Sequence, residues 1–285
     1  MKIVKEVWWF VKNSLWLDYK FFRVSQWSIL KKVDFLILKY LLISKHFVFP
    51  FTLGKDYVLF EGKKIYYDTR YGIAGYQSLL ARHQHLMAIG EIHNPKCIVD
   101  IGANVGFFSR ICIDNFPDAK LYTIEPIPQI FDCLSKNFRS DRSIIVSNIA
   151  ISDEDGQVLM TFDPQDSAIS QISETGGISV VTQTLDSYCN QMGIEDISVL
   201  KIDTESYEAH VLKGASRILE NTEYLFLEIT MENNNNYTIS SLLSKLYSEK
   251  YDFQLVAFRN YADVSQGKMP IMDALLKNIL YKEKR

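Results

Sequence analysis

Three carboxylates, Glu125, Asp203 and Glu228, each stand at the end of a short apolar run, and Asp100 stands one residue before the end of a fourth. Ligands of open α/β sheets sit at the carboxyl ends of strands, so acids at several strand ends describe one crevice. There they can accept hydrogen bonds from a sugar diol, attract a cation, or take the proton of a hydroxyl nucleophile. Glu205 follows Asp203 by two residues and joins the group. As plain structure, Asp203 would cap the helix that follows it and Glu205 would complement that helix's dipole. A metal-assisted variant would gather Asp203, Glu205 and Glu228 around Mg²⁺ through oxygen ligands. His83 and His85 are two apart, point away from each other on a helix, and make no metal pair. Lys201, inside a strand, needs a neighbouring carboxylate because an unpaired buried charge is costly.

These acids must be held by a sheet, and the stretch from Ile98 to Arg110 shows how. Ile98-Val99-Asp100-Ile101 is a β-branched apolar run that reads as a buried parallel strand. Gly102-Ala103-Asn104-Val105-Gly106 turns into a helix from Phe107, leaving backbone N–H groups free where a ligand can approach closely. Asp100 is expected to face the same crevice. Glu125 follows the turn by about twenty residues, where an acid receives both ribose hydroxyls of a nucleoside. The turn also selects the ligand. A dinucleotide site wants Gly-x-Gly-x-x-Gly, but Asn104 and Phe107 occupy the second and third Gly positions. A pyrophosphate would be crowded; a phosphate-free nucleoside such as S-adenosylmethionine fits better.

The chain alternates strands and helices from residue 96. Strands are expected at 98–101, 120–124, 143–149, 198–202, 224–229, 253–258 and 271–277, with helices over 107–113, 127–138, 185–192, 207–219 and 238–250. A small hairpin covers 157–162, and 163–180, rich in Ser, Asp, Gln and Gly, reads as a long lid-like loop. Upstream, 57–68 reads as a β-hairpin, 71–76 as a loop and 77–92 as a helix. Repeated βα units imply a mostly parallel, seven-stranded sheet with helices on both faces. Thr184 is placed to cap the short helix at 185, with Asp186 in its first turn.

The later motif, Leu200-Lys201-Ile202-Asp203-Thr204-Glu205-Ser206-Tyr207-Glu208 with Leu212-Lys213-Gly214-Ala215, completes a pattern. With Val99-Asp100-Ile101-Gly102-Ala103-Asn104-Val105-Gly106, Ile124-Glu125-Pro126, Asn148-Ile149-Ala150-Ile151-Ser152 and Thr184-Leu185-Asp186, the chain resembles the FkbM family of S-adenosylmethionine-dependent methyltransferases over about residues 57–277. The resemblance implies a Rossmann-like class I methyltransferase fold and methyl transfer to a hydroxyl of a sugar, glycolipid, polysaccharide or secondary metabolite. The catalytic candidates are then Asp203, Glu205 and Glu228. The cofactor candidates are Asp100, Gly102, Ala103, Asn104, Gly106, Glu125, Pro126, Asn148, Ala150 and Asp203, with Asn148 and Ala150 near the adenine. The family usually has Gly where this chain has Ser206. Competing readings are a nicotinamide-dependent oxidoreductase on the same sheet and a non-catalytic, membrane-associated binding module.

The totals set the frame. The net charge of −3 over 285 residues argues against a nucleic-acid partner, but residues 1–50 alone carry +6 and hold all four tryptophans. Val4, Trp8, Val11 and Leu15 recur at helical spacing with Lys5 and Lys12 off that stripe. One reading is an interfacial helix with peripheral membrane contact through residues 1–45. The other is a helical extension packed on protein, favoured by the Leu36–Ile43 run, which is apolar all round and expected to be buried. Charges at Lys5, Glu6 and Lys12 interrupt any signal-peptide core, and the four cysteines read as reduced core thiols, so a cytoplasmic location is expected. The expected organisation is a basic, Trp-rich extension over 1–50, a hairpin and helix over 51–95, and the cofactor domain over 96–285.

Overall fold

The computed structural model describes residues 29, 33, 37, 57–60, 63–66, 92–163, 166–173, 176–230, 238–260 and 271–281. The chain divides into two compact units, Met1–Gly54 and Lys55–Arg285. In the first, Ile29, Val33 and Ile37 are helical and 73, 40 and 55% exposed. Their spacing of four lays them on one helix face. Ile37 lies within the run expected to be buried, and that expectation is corrected there: apolar composition covers a helix face only where another element packs on it. The tryptophans, the 71–76 loop, residues 77–91 of the expected 77–92 helix, His83 and His85 lie outside the described residues, and Ile92 is described as non-helical.

The second unit opens with an antiparallel pair, β1 (Tyr57–Phe60) and β2 (Lys63–Tyr66). There follow β3 (Cys97–Ile101), α1 (Phe107–Asn115), β4 (Lys120–Ile124), α2 (Pro128–Phe138) and β5 (Ile144–Ser147). Next come β6 (Ala150–Ser152), β7 (Gly156–Asp163), β8 (Asp166–Ser173), β9 (Ile178–Thr184) and α3 (Leu185–Met192). The remainder is β10 (Ile197–Ile202), α4 (Glu208–Lys213), β11 (Thr222–Thr230), α5 (Ile239–Leu243), β12 (Phe253–Asn260) and β13 (Ile271–Asn278).

Seven strands form the main sheet in the order β5-β4-β3-β10-β11-β13-β12. The first five run parallel, and β13 runs antiparallel to both its neighbours. The sequence order reverses between β3 and β10, the switch point at which such sheets hold ligands. Both faces are buried, which is why these strands are nearly continuous in β-branched and aliphatic residues. On one face Ile98, Leu121, Val199 and Phe226 pack with Phe108, Ile111 and Cys112 of α1. On the other, Val99, Ile101, Leu200, Ile202 and Leu225 pack with Leu185 and Tyr188 of α3 and Val211 and Leu212 of α4. The described cysteines are all free, and burial pushes the Cys97 and Cys189 thiols up to about 12.

The loop expected over 163–180 is instead mostly strand. β8 and β9 join β6 and β7 in a second sheet of order β6-β9-β7-β8. Val180 and Thr182 of β9 are buried while Ser179 and Val181 face outward, so half of a regular strand is polar and its composition imitates a loop. Gly177, at φ +131°, lies so close to β7 that a Cβ would sit 2.5 Å from the Met160 carbonyl oxygen. Two helices are shorter than expected. α4 stops at Lys213 because Gly214 packs on β6, where a Cβ would lie 2.1 Å from the Ser152 carbonyl oxygen. The chain then continues into a 3₁₀ turn, Ile218–Asn221. α5 starts at a Thr238–Ser241 capping box and gives way to a 3₁₀ turn at Ser244–Leu246.

Candidate active site

The ends of β3, β4 and β10 are stitched into one edge by the glycine turn. The N–H groups of Gly102 and Ala103 both donate to the Ile124 carbonyl, at 3.1 and 3.0 Å, folding the turn over the end of β4. Gly102 has φ +74°, and a Cβ there would lie 1.8 Å from the Asp203 carbonyl oxygen. Glycine is therefore what lets β10 end against the turn. Asn104, in the second Gly position of a dinucleotide turn, is left-handed at φ +52°, a conformation Asn tolerates better than most residues.

Glu125 closes on that turn. Its Oε2 accepts from the Asn104 N–H and its Oε1 from the Ile127 N–H, both at 2.9 Å. Burial pushes this carboxyl up to about 7, against the pull of those backbone donors. The exposed Asn148 donates from Nδ2 to the carbonyls of Glu125 and Pro126, tying the chain after β5 to the end of β4. Ala150 begins β6, opposite Thr182.

Other candidates lie behind the edge. A Cβ at Gly106 would come within 2.3 Å of the Phe138 ring, and Ala103 packs with Leu134 and Phe138, so both residues serve the contact with α2. Asp100, expected to face the crevice, is 1% exposed. Its Oδ2 accepts from Ser109 Oγ at 2.7 Å and its Oδ1 lies 3.4 Å from Lys201 Nζ. The reason is register: Asp100 pairs across the strands with Lys201, on the face that α1 covers. Lys201 thus has the carboxylate partner its place in a strand requires. Burial lowers its tendency to hold a proton, but Asp203 and Asp100 outweigh that and raise it above the ordinary lysine value.

The catalytic candidates do come together. Carboxylate oxygens of Asp203, Glu205 and Glu228 lie within 4.8 Å of one another, each residue half-buried. Asp203 pairs with Lys201 at 3.0 Å and keeps its side chain 29% exposed. Burial, then the charges of Asp203, Glu205, Asp273 and Glu208, hold the Glu228 carboxyl well above the usual range. Asp203 does not cap α4, whose N-cap is Tyr207 without a side-chain cap. Glu208 does the local work: its Oε1 accepts from the Thr204 N–H and hydroxyl and from the Ser206 N–H. The sequence shows Glu208 only as an acid in a helix's first turn. Glu205 and Ser206 are left-handed, at φ +51° and +77°. Glycine adopts that geometry freely, whereas Ser206 bears a cost of about 1 kcal/mol or more.

A doubly covered parallel sheet with this switch point, a glycine turn latched to an acid at the next strand end, and carboxylates across from it form the edge at which open α/β sheets hold their ligands. The chain belongs to the FkbM methyltransferase family, whose domain matches residues 100–255. It is accordingly an S-adenosylmethionine-dependent methyltransferase, which sets the nicotinamide reading aside. It is 26% identical to the 2-O-methyltransferase NoeI of Sinorhizobium fredii, over 55% of this chain and 72% of that one. It is 26% identical to the hexuronic acid methyltransferase AglP of Haloferax volcanii, over 50% of this chain and 59% of that one. It is 27% identical to the 31-O-demethyl-FK506 methyltransferase FkbM of Streptomyces tacrolimicus, over 44% and 61%. The chain therefore spans less than two thirds of the latter two relatives.

Proposed function

We propose that this protein methylates a hydroxyl oxygen of a sugar, free or within a glycolipid or polysaccharide. The observation that carries the proposal is the placement of Asp203: at the tip of β10, partly exposed, beside the glycine turn and grouped with Glu205 and Glu228. The names of the relatives, a 2-O-methyltransferase and a hexuronic acid methyltransferase, support an oxygen on a sugar. The donor set suits the cofactor, since grouped carboxylates attract a sulfonium and repel a phosphate.

When bound, S-adenosylmethionine supplies an electrophilic methyl group on its sulfonium. Glu125 would receive its ribose hydroxyls, and the turn at Gly102 and Asn104 would hold its amino-acid tail. Pro126, Asn148 and Ala150 would border its adenine. Asp203 orients the acceptor hydroxyl and takes its proton, with Glu205 and Glu228 around it. Burial and the neighbouring acids hold the Glu228 carboxyl well above the usual range beside Asp203. Asp100, Ala103 and Gly106 act from behind, by holding Lys201, α1 and α2. Methyl transfer is an in-line displacement, so catalysis is largely positioning of two reactants.

The test is a labelled-methyl assay on a panel of methyl hexosides, methyl hexuronides and glycolipid extracts. We expect label on sugar oxygen, removed neither by base nor by EDTA in the assay. Label confined to protein, nitrogen or carboxylate esters would overturn the proposal, and loss of activity with EDTA would favour the Mg²⁺ variant of the site.

No helix among the described residues is long and apolar enough to cross a membrane. We propose instead that the first unit rests on an anionic membrane surface. Its exposed Ile29–Val33–Ile37 stripe and the +6 charge of residues 1–50 are the support. The full chain should sediment with phosphatidylglycerol-rich vesicles, and a variant with Ile29, Val33 and Ile37 all changed to Asp should stay in the supernatant. Equal sedimentation of the two would end this reading.

A further inference from the structure

Lys201 joins three parts of the site although it is only 2% exposed. Its Nζ lies 3.0 Å from Asp203 Oδ2, 3.4 Å from Asp100 Oδ1 and 3.5 Å from the Gly102 carbonyl oxygen. It also stands 5.7 Å from the centre of the Phe108 ring on α1. Asp100 is held from its other side by Ser109, whose Oγ is 2.8 Å from Thr123 Oγ1. A polar chain thus runs from β4 through α1, β3 and β10 to Asp203, closed off from solvent until its last member.

An enclosed ammonium is tolerated only when paired and hydrogen-bonded. Asp100, equally enclosed, already answers that need. Asp203 is partly exposed and would be tolerated in water without a cation. The second ion pair therefore acts on Asp203: it pins one carboxylate oxygen to the sheet, so that the rotamer is set by buried structure and not by solvent. The contact with Gly102 references the same ammonium to the turn that holds the cofactor's tail.

We propose that Lys201 is a positioning residue for methyl transfer, fixing the Asp203 carboxylate relative to the glycine turn. This rests on the reading of Asp203 as the group that orients and deprotonates the acceptor. A displacement of about 1 Å at such a group costs on the order of 100-fold in rate, so the effect should be large in turnover and small in cofactor affinity.

Lys201→Met alone strands Asp100 as a lone buried charge and endangers the fold. Asp100→Asn combined with Lys201→Met removes the enclosed pair together and leaves an amide oxygen for Ser109. Compared with Asp100→Asn alone, the paired variant should keep its S-adenosylmethionine Kd by calorimetry within about threefold and lose about 100-fold in kcat on whichever glycoside the wild type methylates. Its crystal structure should show the Asp203 carboxylate moved from its wild-type place. An unmoved carboxylate, a kcat within about tenfold, or a Kd that weakens in step with kcat overturns the inference. The functional reading is judged separately by Asp203→Asn. A turnover-competent Asp203→Asn enzyme sinks that reading, whereas a dead one beside an active paired variant sinks only the role of Lys201.

Discussion

Asp203→Asn should bind S-adenosylmethionine as the wild type does and lose methyl transfer by 10² to 10⁴-fold, the usual scale for removing a positioned general base. The amide keeps the size of the side chain and an oxygen to meet Lys201, so the tip of β10 and the Gly102 contact should persist. What disappears is the capacity to receive a proton. Calorimetry with S-adenosylmethionine and the labelled-methyl assay separate the two quantities. A variant with turnover within about tenfold of wild type would remove proton acceptance from the mechanism. Glu205→Gln and Glu228→Gln should cost less, because neither is the group proposed to take the acceptor's proton.

The second large effect falls on binding. Glu125→Ala should weaken S-adenosylmethionine by at least about 100-fold, since it removes two charge-assisted hydrogen bonds to the ribose at roughly 1.5 kcal/mol or more each. It also releases the N–H groups of Asn104 and Ile127 that Glu125 now holds. Retained micromolar affinity would take Glu125 out of the site. Its titration gives a finer check. The folded carboxyl sits at about 7 against 4.5 ordinarily, because it is buried. Hydroxyl donors favour the ionised form, so wild-type affinity should rise between about pH 6 and 8, and Glu125→Gln should flatten that rise. Stability moves the opposite way. Between pH 4.5 and 7 the unfolded chain has released this proton while the folded chain keeps it, so stability falls as pH rises through that window. The loss is at most about 3 kcal/mol, and it should be smaller in Glu125→Gln, as urea melts at several pH values would show.

The central strands of the main sheet, β3, β4, β10 and β11, were legible because they are buried on both faces. Burial on both sides forces β-branched and aliphatic runs, and such runs stand out between the polar segments of Lys96–Phe258. The second sheet hid for the converse reason. In β9 buried Val180 and Thr182 alternate with exposed Ser179 and Val181, so polar residues dilute the pattern, and the sequence of β8 is rich in Ser. Helix ends were also hard to read. α4 ends where Gly214 meets a carbonyl of β6, a contact between segments sixty residues apart that no local propensity records.

The same division runs through the site. Sequence by itself determined which residues carry charge, the glycine-spaced turn, the acid at the end of the next strand and the family pattern, because these depend on residue type and on spacing along one segment. Tertiary structure decided which way each side chain faces. Asp100 turns inward because strand register sets it beside Lys201 beneath α1, while Gly106 yields its space to Phe138. The carboxylates of Asp203, Glu205 and Glu228 meet only because β10 and β11 are neighbours. Orientation of this kind comes from pairing between distant segments, and that is a property of the folded chain.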